Sequence, residues 1–149
     1  MLKTKTALLA VALTLALSAC GYGTQENSIS SNSAATQQAV NLENAELISA
    51  GSFSGRSDHE TTGKVSLVKT TTGYALVFAD DFSLDGAPDP QVGFGKGGSY
   101  VNASQVSALQ SKTGAQTYAL PIGFEPTDYD EVYVWCEQFS VPLGVAKLN

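Results

Sequence analysis

The chain has 149 residues, 14 acidic side chains against 8 basic ones, and a formal charge of −6. One His and two Cys are too few for a zinc site built from several Cys and His ligands, and too few for a disulfide-stapled scaffold. Sparse Lys and Arg on an acidic chain argue against a nucleic-acid partner, and the length suits one domain.

The amino terminus reads as an address and an anchor. Lys3 and Lys5 form a positive start, Ala7 to Leu17 a short apolar run, and small residues follow. That is the layout of a secretory signal, and the run is shorter than the roughly 20 residues of a spanning helix. Leu17-Ser18-Ala19-Cys20 resembles a bacterial lipobox. The resemblance implies cleavage after residue 19 and acylation of Cys20, with the acyl chains holding the protein on a membrane. The expected location is the cell envelope: the outer membrane or periplasmic face in a Gram-negative cell, otherwise the outer face of the cell membrane. Gly21, which is not Asp, favours outer-membrane release in the first case. Loss of residues 1–19 also removes Lys3 and Lys5, so the mature chain is more acidic still and repels anionic lipid or nucleic acid.

Residues 21–38 are Ser, Asn, Gln, Thr and Gly with almost no large apolar side chain. Such a stretch buries too little surface to offset its ordering entropy, and residues 20–44 are assigned as lipidated Cys and flexible tether. Val40, Leu42, Leu47 and Ile48 make the lead-in to the domain, assigned to 45–149. From there the pattern is β. Ser52-Phe53-Ser54 alternates, Lys64 to Lys69 is a strand, Thr70 to Gly73 turns, and Gly73 to Phe78 returns as an apolar strand. Gln91 to Phe94 and Ala115 to Leu120 are further strands. Glu131 to Cys136 is the richest in β-branched and aromatic residues, and Ser140–Leu143 and Val145–Leu148 close the chain. One helix is expected over Asn102 to Lys112, capped by Asn102 and ended near Gly114. The expected fold is all-β, an antiparallel β-sandwich or barrel-like domain.

Cys136 is the main candidate for chemistry. With Cys20 acylated it is the only free thiol of an exported protein, which is unusual. Val132, Val134 and Cys136 share one strand face, Tyr133 and Trp135 the other. Two readings stand: a small buried hydrophobe, or a redox thiol or ligand to a metal or haem. His59, the only His, sits in the polar turn Arg56 to Gly63. It is either a solvated side chain or a partner for Cys136, as base or as second ligand. A blue-copper site needs two His and is excluded. Asp80, Asp81, Asp85 and Asp89 cluster four carboxylates, and Asp81, Ser83, Asp85 and Gly86 imitate the start of a calcium loop, but Val92 stands at the twelfth position, so the segment reads as a solvated turn. Gly93 to Ser99 lacks phosphate-loop spacing and reads as a glycine-rich hairpin. A Ser-His-Asp hydrolase has no G-x-S-x-G elbow to support it, so redox or binding chemistry is expected ahead of hydrolysis.

Several segments together resemble one family. Phe53 is followed by His59-x-x-x-Gly63 before a strand. Asp81-Phe82 and Asp85-Gly86-x-Pro88-Asp89 follow, then Val134-Trp135-Cys136-Glu137-x-Phe139-x-Val141-x-x-Gly144. Their order and spacing over about residues 47–148 resemble the DM-thirteen domain, the DOMON-associated electron-transfer module of animal surface proteins and bacterial envelope proteins. Leu143 stands where Phe is expected. The resemblance implies electron transfer through Cys136, as a thiol or as holder of a prosthetic group, with His59 matching the motif His. Redox or cell-surface proteins are the partners it implies. The alternative is a non-catalytic binding or adhesion module in which Cys136 is a core residue.

Overall fold

Alternation of small polar and apolar side chains sets the first strand. In β1 (Glu46–Gly55) Ser52 and Ser54 face solvent while Phe53 is buried. The computed structural model describes residues 40–149. The leader, Cys20 and the spacer as far as residue 39 lie outside the described residues. Residues 40–45 form a small turn, in which Glu43 N–H donates to Asn41 Oδ1 and Ala45 N–H to Leu42 O.

After β1 come β2 (Thr61–Thr62), β3 (Lys64–Thr70), β4 (Gly73–Phe78), β5 (Ser83–Leu84), β6 (Pro90–Lys96) and β7 (Ser99–Tyr100). Then follow β8 (Ser107–Ala108), β9 (Gln116–Ala119), β10 (Glu131–Cys136) and β11 (Val141–Lys147). The main sheet runs β7-β6-β10-β11-β1-β3-β4-β9, with β8 also on β6, and β2 and β5 form a separate ribbon. Every pairing is antiparallel. The sheet curls into a half-barrel, so the fold is all-β as the pattern implied, with one curled sheet in place of two stacked ones.

The inner face carries the core. Phe53, Phe78, Phe82 and Tyr118 interlock, with Phe78 ring centroids 5.0, 4.8 and 5.2 Å from the other three. Phe94 packs with Phe124 and Tyr129 as a second aromatic group. Val132, Val134 and Cys136 fill the inner side of β10.

Three local readings change. β1 is ten residues long rather than a short piece around Phe53. The two closing segments are one strand, β11, with a bulge between Val134 and Trp135 of the partner strand. The expected helix over Asn102 to Lys112 is a single 3-10 turn, Asn102–Ser104, capped by Val101 without a side-chain bond. Tertiary bonding stops it. Ser104 Oγ donates to Phe94 O and accepts from Phe94 N–H, and Ser107 and Ala108 pair with β6.

Candidate functional site

The bulge in β11 organises the site. It leaves Leu143 unpaired with β10, since Val134 faces Gly144 and Trp135 faces Pro142. The freed Leu143 carbonyl accepts Thr61 Oγ1 at 2.8 Å and the Arg56 N–H at 3.0 Å. The turn that carries His59 is therefore held against the strand beside Cys136. A side chain at Gly144 would come within 2.5 Å of Thr61 Cγ2, so only glycine fits under Thr61.

Cys136 ends β10 with its side chain inward and 1% of its surface exposed. Its Sγ–H donates to Pro88 O at 3.2 Å. Antiparallel pairing sets Cys136 against Pro90, and the Glu137 N–H donates to Asp89 O at 3.2 Å. The segment from Asp85 to Pro90 thus lies over the thiol. Two prolines restrict its backbone, and Asp89 holds a left-handed φ of 47°.

His59 grips the other end of that segment. Ser57 and Asp58 turn the chain with φ of 54° and 63°, and the His59 N–H closes the turn on Arg56 O at 3.0 Å. Pairing of Thr61 with Leu84 brings the turn beside Asp85. The His59 Nδ1 lies 3.0 Å from Asp85 Oδ1, and Asp85 N–H donates to Glu60 O at 3.0 Å. This is the ion pair found among the described residues when His59 is protonated. The Glu60 backbone and then the His59 ring hold the Asp85 carboxyl below its ordinary value of 3.8.

His59 and Cys136 are therefore brought to one short segment but not to each other. Asp85 and Pro88 are three residues apart, so their Cα atoms lie within roughly 11 Å. No hydrogen bond joins the imidazole to the thiol: the ring nitrogen meets Asp85 and the sulfur meets Pro88. The two residues are linked only through the segment, His59 at Asp85 and Cys136 at Pro88.

A depressed carboxyl pKa gives a signed expectation. The unfolded chain binds a proton at Asp85 before the folded chain does, so stability rises with pH through that interval. The contribution of Asp85 is complete above 3.8 and is lost as pH falls through the lower, folded value. Acid titration followed by nuclear magnetic resonance should show Asp85 titrating below its ordinary value of 3.8, and Asp85→Asn should flatten the acid limb of the stability curve.

Asp81 and Asp89 have separate partners. Asp81 Oδ1 accepts the Lys64 N–H at 2.9 Å, and Asp89 Oδ1 accepts Gln91 Nε2 at 2.6 Å. Among the described residues no three His, Cys, Asp or Glu side chains form a group able to hold a metal ion. The glycine-rich segment is the β6–β7 hairpin, as expected. Its free amides are taken by the protein's own carboxylates: Gly97 N–H donates to Asp130 and Gly98 N–H to Glu131, each at 2.9 Å.

A haem or metal on Cys136 and His59 does not fit this arrangement. The sulfur is enclosed in the apolar core and engaged by a backbone carbonyl, and the imidazole points its Nδ1 at a carboxylate. What the arrangement can do is cover a single thiol with a segment clipped at its far end by a surface pair. The clip was missed in sequence. Its signal was Asp85-Gly86-x-Pro88-Asp89, visible as a motif without a partner.

The model of the family described as Electron transfer DM13 matches residues 52–148. No curated protein and no solved structure matches the chain.

Proposed function

Since this chain belongs to the DM13 electron-transfer family, we propose that Cys136 is its redox-active thiol and that Asp85 to Pro90 is the cover that gates it. The protein is read as lipid-anchored at the cell envelope through Cys20, with the domain carried on the tether. One observation carries the gating: the Cys136 sulfur rests on Pro88 of a segment whose other end is clipped by His59 and Asp85. Strands β6 and β10 are tied to each other by a continuous antiparallel ladder, so the short covering segment is the element that opens at least cost.

The chemistry is thiol–disulfide exchange with a disulfide-bearing partner. The Cys136 thiol gives its proton to water, and the thiolate attacks one sulfur of the partner disulfide. An S–S bond to Cys136 forms, the partner bond breaks, and the displaced thiolate takes up a proton. A donor dithiol then reduces the mixed disulfide, becoming a disulfide and releasing Cys136 and the second partner thiol. Two electrons have passed from dithiol to disulfide through one cysteine.

Treating the native protein with a small aromatic disulfide should form a mixed disulfide at Cys136, seen as a mass increase and as released coloured thiol. Cys136→Ser should give neither. A Cys136 that stays free until the protein unfolds would favour the other reading, a binding module with a structural cysteine, which the near-complete burial of this residue recommends.

A further inference from the structure

The outer face of the sheet holds a second concentration of side chains, on the opposite side from Cys136. The alternation that sends Val132, Val134 and Cys136 inward sends Glu131, Tyr133 and Trp135 outward. Opposite them on β6 stand Gly95, Gly93 and Gln91. The two glycines leave room for rings: Tyr100 lies over Gly93 and Tyr133 over Gly95. Trp135 and Tyr100 stack with centroids 4.4 Å apart and planes 12° apart, and Tyr133 follows at 5.6 Å. These rings and Arg56 line a groove of about 400 Å³.

Arg56 and Val145 belong also to a second groove, of about 650 Å³. Its floor is Ser52 and Ser54 of β1 and Ser66 of β3, and Lys64 and Lys147 join Arg56 around it. Half of the Lys and Arg among the described residues thus surround one patch of hydroxyls on an acidic protein. None of the three is in an ion pair, since the one found among the described residues is His59–Asp85. Glu131, the acidic side chain in this groove, has its Oε2 engaged by Gly98 N–H and Tyr133 OH. From β7 to β3 there are five strand spacings, about 24 Å.

We propose that this face binds an acidic polysaccharide. Sugar rings stack on Trp135 and Tyr100, carboxylates or sulfates on the chain pair with Arg56, Lys64 and Lys147, and sugar hydroxyls meet the serine floor. The grooves are open along the sheet, so they cover one side of an extended polymer. A small cofactor is normally enclosed over most of its surface, which these grooves do not provide. A neutral glycan would leave those cations unused. The proposal stands apart from the thiol chemistry, because Trp135 precedes Cys136 in β10 but its side chain leaves the opposite face of the sheet.

The test is affinity electrophoresis of the full chain through gels containing polygalacturonate, dextran or single-stranded DNA. Retardation is expected in polygalacturonate, falling as salt rises, with none in dextran. The double variant K64Q/K147Q removes two exposed charges without touching the core and should weaken binding at least tenfold. Tyr100→Leu should weaken it about fivefold, with circular dichroism confirming that both variants fold. No retardation in polygalacturonate would overturn the proposal. So would retardation that the folded variants leave unchanged, equal retardation in dextran, or tighter binding to DNA than to polygalacturonate.

Discussion

Asp85→Asn and His59→Ala are each expected to speed mixed-disulfide formation at Cys136 by about three- to tenfold, with little change in global stability. Exchange at a buried thiol proceeds through the fraction of molecules in which the cover is open. At the thiol the Pro88 carbonyl accepts the Cys136 S–H and Pro90 pairs with Cys136 across the ladder, and the far end of the segment is held by the His59–Asp85 pair. Asp85 is exposed, and exposed pairs contribute little to overall stability, so removing the pair acts mainly on the local opening. The Asp85 N–H bond to Glu60 O survives both substitutions, which limits the effect to a few-fold rather than a loss of the segment. Asp58→Asn is the control. It removes a neighbouring carboxylate from the same turn, keeps a residue that tolerates φ of 63°, and leaves the clip intact. Exchange rates measured from released coloured thiol check the expectation. An unchanged rate in both clip variants would show that the pair does not govern access.

Phe78→Ala is expected to cost about 3–5 kcal/mol, the range for truncating a buried Phe. Phe78 is fully buried and its ring meets Phe53, Phe82 and Tyr118, so no single neighbour can fill the space by a rotamer change. Its strand is fixed on both sides, by β3 and by β9, so the backbone cannot close on the cavity. A loss of that size is a large share of a total stability of roughly 5–15 kcal/mol. Urea unfolding should show a much lower midpoint with an unchanged slope. Because Phe82 leads into the covering segment, the same variant should also open Cys136 more often.

How much of this was legible depends on where the information sits along the chain. β4 and β10 are read at their true bounds because each is a dense run of β-branched and aromatic residues between turn signals. The facing of Cys136 follows from period-two alternation within β10 and needs no tertiary knowledge. β11 looked like two pieces because Pro142 and Gly144 interrupt its pattern. Both belong to the bulge, which exists to release the Leu143 carbonyl and admit Thr61. Asn102 and Gly114 looked like helix ends. The deciding contacts were those of Ser104 with Phe94 and of Ser107 with Val92, which no local pattern reveals. The clip was illegible for a similar reason. His59 and Asp85 are joined by two strands of two residues each, too short to carry periodicity. The outer aromatic face was half legible: Tyr133 and Trp135 alternate visibly, but Tyr100 joins them only through the glycines of β6.

The most direct test of the gated thiol is the rate of disulfide exchange at Cys136 in the wild-type protein across a urea series below the unfolding transition. Opening of a short segment exposes little surface, so the rate should be nearly flat at low urea and rise steeply only near the transition. That result would identify Cys136 as a thiol reached in the native state. A rate that rises from zero urea with the full slope of global unfolding would contradict it, since the thiol would then be reached only in the unfolded chain.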